Sequence, residues 1–300
     1  MKHVFIVNPT SGRGAANKMI PLIEEYFADN KEEFEIRVTE RPKHAQEIAA
    51  EYTVNDGVCL YSAGGDGTLW EVVNGVNDGV VMSVLPCGTG NDFFRMFDAS
   101  SLEMKKLLKD TIEGEVIAVD YGLCNDTNRF MNCLCIGIDA DVNVRVQEVG
   151  RDSLVPKKML YVASVMHVVR KPKVLEFMMK TNAGVEQRKG ILAAIMNGRH
   201  YGGGFTPTPI ASITDGLLDV CLVQPLTFTQ LLPVLPKYFK GTHMDLPIVD
   251  YMKTEEIEIT FDEDINVSLD GEMFRMNKIS AKIVKQGLLV KIPKESYHES

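Results

Sequence analysis

Residues 58–68 read VCLYSAGGDGT, and the reading of the whole N-terminal half rests on them. Residues 58–61 form a short apolar run of the kind a fully buried strand needs. The run breaks into Gly64-Gly65-Asp66-Gly67-Thr68, and a helical pattern follows Gly67. Three glycines in four positions weaken a chain unless backbone must approach something closely. An aspartate among them would repel a phosphate, so Asp66 reads as a carboxylate working through Mg²⁺ or as a proton acceptor. The plainer reading is a Gly-rich turn in which Asp66 and Thr68 act as caps.

The same grammar extends to both sides. Residues 4–7 are an apolar run ended by Asn8-Pro9, and Ala16, Met19, Ile20, Ile23 and Phe27 then share a helical face across 15–30. Pro21 should kink that helix or delay its start. Phe34, Ile36 and Val38 alternate as a strand, and Pro42 opens a second helix carrying Ala45, Ile48, Ala49 and Tyr52. Residues 80–85 give a fourth strand. Strands alternating with helices predict a doubly wound, mainly parallel α/β domain.

From about residue 115 short β-rich runs take over, at 116–119, 130–138, 174–179, 191–196, 217–223, 257–261, 265–269, 279–284 and 288–292. They predict a C-terminal antiparallel β-sandwich domain, with helical inserts at 158–170 and 227–240. The expected division is 1–118 and 119–285, with a linker near 112–122 and the tail, about 286–300, packing back on the first domain.

A net charge of −9, from 32 basic and 41 acidic residues, argues against a nucleic-acid binder and against constant adhesion to anionic membranes. The six cysteines form no C-x-x-C pair, so reduced, buried thiols in a cytoplasmic protein are expected rather than zinc. No run of 18 apolar residues occurs, so no transmembrane segment is expected.

Two further loops carry chemistry. Asn8-Pro9-Thr10-Ser11-Gly12-Arg13-Gly14 lies between a strand and a helix, where free N–H groups can meet a nucleotide phosphate. It is not a Walker loop, and any strand-to-helix turn could hold such residues. Pro86-Cys87-Gly88-Thr89-Gly90-Asn91-Asp92 ends the next strand, with Arg95 close behind.

In that order and spacing, N-P-T-S-G, G-G-D-G-T and P-x-G-T-G-N-D resemble the diacylglycerol kinase catalytic-domain family, which includes sphingosine and ceramide kinases and bacterial lipid kinases. Asn132…Gly137-Ile138-Asp139-Ala140 resembles the family's N-x-x-G-x-G-x-D-A strand, with Cys135 in place of the first glycine. Gly202-Gly203-Gly204, Pro209, Ala211 and Asp215-Gly216-Leu217-Leu218-Asp219 resemble its G-G-G…P-x-A…D-G-x-L-D segment, and Asp270-Gly271-Glu272 its D-G-E.

The resemblance implies an ATP-dependent lipid kinase working in a cleft between its domains. ATP would meet Asn8, Pro9, Thr10, Ser11, Gly12, Thr39, Gly64, Gly65, Asp66, Gly67, Thr68, Leu69, Trp70, Glu71, Thr89, Gly90 and Asn91. It further implies a largely structural Mg²⁺ on Asp215 and the main-chain oxygens of Ser212 and Leu217, oxygen donors that suit a hard cation. Asp270-Gly271 is also a strong hairpin dipeptide. Under the resemblance the same turn supplies the catalytic base, and sequence logic leaves Asp270 and Glu272 both open. The partner would be a lipid presented by a membrane surface and visited peripherally, and a homodimer is allowed. Apolar linings for its chain are offered by Leu160, Val162, Val165 and Met166 and by 231–239. The rivals are an NAD kinase, which also uses G-G-D-G-T, and a catalytically silent nucleotide sensor.

Overall fold

The computed structural model describes residues 1–97, 99, 102–150, 157–294 and 296. They form two compact units: residues 1–121, 212–216 and 284–300 make the first, and 122–211 and 217–283 the second.

The first unit is the α/β half. Its elements are β1 (Lys2–Val7), α1 (Met19–Ala28), β2 (Phe34–Val38), α2 (His44–Ala50), β3 (Val58–Gly64), α3 (Asp66–Gly75), β4 (Val81–Pro86), α4 (Met104–Ile112) and most of β5 (Glu115–Cys124). Strands β2, β1, β3 and β4 lie side by side in parallel, and Leu289, Val290 and Lys291 continue the sheet in parallel beyond β4. Every residue of β3 is buried, as expected of a central strand covered on both faces. On one face Phe5, Val7, Cys59, Tyr61 and Leu85 pack against Met19, Ile23 and Phe27 of α1.

Pro21 falls in the first turn of α1, where a missing N–H leaves no ladder bond broken, so it delays the helix and does not kink it. The second helix opens at His44 and not at Pro42, because Lys43 before it adopts φ +66°.

The second unit is the antiparallel β-sandwich half. Its elements are β6 (Asn128–Phe130), β7 (Cys133–Gly137), α5 (Ile138–Gly150), α6 (Lys157–Val168), β8 (Leu175–Thr181), β9 (Gly184–Gly190), β10 (Leu192–Met196), β11 (Leu218–Val223), α7 (Phe228–Leu231), α8 (Leu235–Lys240), β12 (Val249–Thr254), β13 (Glu256–Leu269) and the first part of β14 (Glu272–Ile292). Strands run in the order β12-β11-β10-β7-β13-β14. The N-terminal part of β13 pairs with β8 and its C-terminal part with β7, with an irregularity between Thr260 and Ile265. That break lets one strand serve both layers of the sandwich.

Alternate residues of β7, β10 and β11 face opposite ways. Leu134, Ile136, Ile195 and Val220 enter the sandwich core with Phe177 and Ile259. Cys133, Cys135, Met196 and Cys221 face α5 to α8. With both faces covered, these strands read as unbroken apolar runs. The run expected as strand through Ile138 therefore ends at Gly137, and α5 begins at Ile138. The insert expected over 227–240 is two short helices separated by Leu232 to Val234, with Pro233 between them.

Candidate active site

Three neighbouring parallel strands, β1, β3 and β4, end together, and each hands over to one of the three loops. Asn8 N–H donates to the Ala63 carbonyl at 3.0 Å, and Cys87 N–H to the Gly64 carbonyl at 2.8 Å. Gly12 has φ +57°, and a Cβ there would lie 2.0 Å from the Cys87 carbonyl oxygen. A Cβ on Gly90 would lie 2.5 Å from Asp66 Oδ2. The glycines are thus demanded by loop packing against loop, before any ligand is considered.

Side chains brace the same region. Asn8 Nδ2 donates to Thr68 Oγ1 at 2.9 Å, while Asn8 Oδ1 accepts from the Thr10 N–H and hydroxyl at 3.1 and 2.9 Å. Ser11 Oγ lies 3.5 Å from Thr68 Oγ1. Asp66, first residue of α3, accepts the Asn91 N–H at 2.8 Å and the Asp92 N–H at 2.7 Å. Burial pushes its carboxyl above the ordinary carboxylate range, against those two donors. Asn91, at φ +54°, closes the third loop on the Gly88 N–H and carbonyl, both at 3.0 Å. Arg95 donates to the Gly90 carbonyl at 3.1 Å and lies 3.6 Å from Asp92.

Thr10, Gly67 and Thr89 are exposed at this edge, and Pro9 and Gly65 are half-buried. Thr39 N–H bonds to the Val7 carbonyl at 2.9 Å, which sets it beside the first loop. Leu69 and Trp70 are buried in the core. The Glu71 carboxylate accepts the Lys43 and Ala45 N–H groups at 2.9 and 3.1 Å.

In the second unit, Asp270 and Gly271 form the β13–β14 turn with φ +46° and +96°. The Asp270 carboxylate accepts three backbone N–H groups, from Met131 at 2.6 Å, Asn132 at 2.9 Å and Cys133 at 2.8 Å. Glu272, two residues on, is exposed. The two carboxylates left open by the sequence therefore differ sharply. Asp270 is fixed by the chain, and Glu272 stands at the surface.

Ser212 and Asp215 lie in a turn pinned by Asp120. The Asp120 N–H donates to the Ile213 carbonyl, and its buried carboxylate accepts from Gly216 and Gln286, each at 2.7 Å. Asp215 is exposed. Among the described residues no group of three or more His, Cys, Asp or Glu side chains could hold a metal. The set of one carboxylate and two main-chain oxygens at Asp215, Ser212 and Leu217 needs no such group. It fits a hard divalent cation in donor chemistry, on a turn that Asp120 already holds rigid.

Sequence reasoning named Asp66 but missed its donors at Asn91 and Asp92, and it missed Asp120 entirely. The donors lie 25 and 26 residues from Asp66, and no local pattern links them. The third loop's Asn-Asp ending was the available signal.

With this geometry in view, residues 2–124 match the diacylglycerol kinase catalytic domain, and residues 132–291 match the YegS C-terminal NAD kinase beta sandwich-like domain. A diacylglycerol kinase of Mycobacterium tuberculosis is 27% identical over 90% of this chain and 88% of its own. One of Bacillus subtilis is 25% identical over 89% of this chain and 88% of its own. A solved diacylglycerol kinase structure from Bacillus anthracis superposes with a TM-score of 0.71 at 19% identity, covering 97% of this chain and 96% of that one; that likeness is one of fold. The chain belongs to the diacylglycerol kinase catalytic-domain family of lipid kinases, and membership makes it a nucleotide-using phosphotransferase.

Proposed function

We propose that this protein transfers the γ-phosphoryl group of ATP to the hydroxyl of diacylglycerol or a related lipid. The observation that carries the proposal is the braced edge of β1, β3 and β4, where Asp66 ties two glycine loops together through the Asn91 and Asp92 N–H groups. A loop set fixed before binding suits phosphoryl transfer, in which positioning and electrostatics supply most of the acceleration. The relatives' names support a lipid acceptor.

In this reading the first and second loops hold the triphosphate, with the N-terminus of α3 and the hydroxyls of Ser11 and Thr68 at hand. Mg²⁺, when bound, would neutralise charge on the phosphate oxygens, and a second, structural ion would sit on Asp215, Ser212 and Leu217. Asp270 takes the acceptor's proton, because three N–H bonds hold its carboxylate in one orientation, and Glu272 orients the acceptor. The acceptor is met at a membrane surface from the aqueous side. Among the described residues no helix is long and apolar enough to cross a membrane.

The sandwich match names NAD kinase, so NAD is the second acceptor to weigh. The test is one assay: labelled ATP and Mg²⁺ with diacylglycerol, monoacylglycerol, ceramide, sphingosine, phosphatidylglycerol and NAD. Label in a lipid is expected, and label only in NAD would overturn the lipid reading. In the same assay Asp270→Asn should lower kcat by about 10²-fold or more, with ATP affinity changed less than about threefold. Glu272→Gln should have the smaller effect. Near-normal kcat in both, in folded protein, would remove the turn from the chemistry.

A further inference from the structure

Strand β13 changes neighbours partway along its length, and the change leaves a space. It pairs with β8 as far as Thr260 and with β7 from Val267, and with neither over residues 261–266. Where β7 ends and β8 begins, a cavity of about 190 Å³ opens. Leu175 and Ile265 are its buried apolar walls, and Asp141, Lys173, Asp264 and Arg275 bring charge to the lining. The floor is built before any ligand arrives. Asn266 Nδ2 donates to Asp141 Oδ1 at 2.9 Å and Asn143 Nδ2 to Ser268 Oγ at 3.0 Å, so two bonds tie the start of α5 to β13.

The charged groups are oriented but lightly engaged. The half-buried Asp141 carboxylate accepts from Asn266 on one oxygen and keeps lone pairs for a further donor. Among the described residues Arg275 uses one N–H, on the Asp264 carbonyl at 3.2 Å, and a guanidinium carries five. Lys173 meets Glu263 at 3.1 Å, but the Glu263 side chain is 75% exposed, and such a pair in water contributes little. A lone anion drawn to Lys173 and Arg275 would find two carboxylates in the same lining, and a lone cation drawn to Asp141 and Asp264 would find two cations. An apolar guest would strip water from all four and return no hydrogen bond. A zwitterion answers both signs, with a charge-assisted bond at each end. Sites for drug-sized ligands start at about 300 Å³, so this guest is smaller.

We propose that this cavity binds a small zwitterion, with its ammonium group on Asp141 and Asp264 and its carboxylate or phosphate on Arg275 and Lys173. A free amino acid and the ethanolamine phosphate headgroup of a phospholipid share that chemistry. The site is distinct from the proposed proton acceptor, because Asn266 precedes Asp270 by four residues, about 13 Å of extended chain. A ligand held here is recognised and not phosphorylated here, so the proposal stands or falls apart from the transfer reading.

The test is calorimetric titration of the full chain, without nucleotide or lipid, with two zwitterions, β-alanine and O-phosphoethanolamine. Ethylammonium, propanoate and inorganic phosphate serve as single-charge controls. At least one zwitterion should bind about tenfold tighter than every control, the worth of one charge-assisted hydrogen bond. Asp141→Asn should weaken that binding about tenfold, and so should Arg275→Gln, a change at an exposed side chain that the fold tolerates. Sedimentation on phosphatidylethanolamine vesicles that is lost in Arg275→Gln would identify a headgroup as the source, and its absence a free zwitterion; the proposal holds in either case. No saturable binding of either zwitterion would overturn it. A control that binds as tightly, or undiminished binding in both variants, would do the same.

Discussion

Asp139 is held where its charge is unwelcome, and that leaves a mark on stability. Its folded value, about 7, stands above the ordinary 3.8 because of burial, which outweighs the hydroxyls of Tyr201 and Tyr238. Cys135 and Cys221, the other titratable groups coupled to it, are buried neutral thiols. A group that binds its proton more tightly folded than unfolded favours the fold at low pH. That contribution fades as pH rises from about 4 to about 7, at about 1.4 kcal/mol per unit. Asp139→Asn should flatten this part of the urea-midpoint curve and become the more stable protein at pH 8. Parallel curves for the two proteins between pH 4 and 8 would refute the account. The sequence placed Asp139 in a family-like strand but could not show this, since Tyr201 and Tyr238 lie 62 and 99 residues away. Asp66 was more legible, because its three glycine neighbours announce a tight site without naming the donors.

Helix α2 takes its cap from another element. Its first turn lacks a capping side chain of its own, and Glu71 of α3 supplies the acceptor for Lys43 and Ala45 from 26 to 28 residues away. Removing a charged acceptor from two N–H groups costs about 1–3 kcal/mol. Glu71→Ala should therefore lower unfolding stability by that amount while nucleotide affinity falls less than about threefold; the reverse pattern, affinity lost and stability kept, would make Glu71 a ligand contact. Element by element, apolar period served well where one face was buried, as in α1 and β8. It failed at α5, which continues an apolar strand without a break, and at β9 (GVEQRKG), whose polar residues gave no strand signal. The partition of 227–240 into α7 and α8 was written in Pro233 and Pro236, both of which the helical reading passed over.

The α/β unit is not a continuous piece of chain. The sequence predicts a tail packed back on the first domain but does not say which strand it meets, because strand pairing over 200 residues leaves no local trace. Leu288, Val290 and Ile292 are buried in it, and Leu289 to Lys291 extend its parallel sheet beside β4. Three such side chains contribute about 5–9 kcal/mol on burial, comparable to the whole stability of a domain. A chain ending at residue 287 should therefore lose the cooperative unfolding transition reported by Trp70, the single tryptophan, which lies in this unit. A native-like transition in the truncated chain would show the last strand to be dispensable.

The six cysteines turn the molecule into its own reporter. All six are buried and outside any disulfide, and burial lifts the thiols of Cys59, Cys87, Cys124 and Cys221 to about 12. A thiol so placed is inert to an alkylating reagent until the structure around it opens. Cys59 and Cys87 lie in the α/β unit, and Cys124, Cys133, Cys135 and Cys221 in the sandwich unit. Pulsed alkylation in rising urea, read peptide by peptide in a mass spectrometer, should label these two sets as two cohorts. The order in which the cohorts appear gives the order in which the units open, with no label or dye added to the chain beforehand.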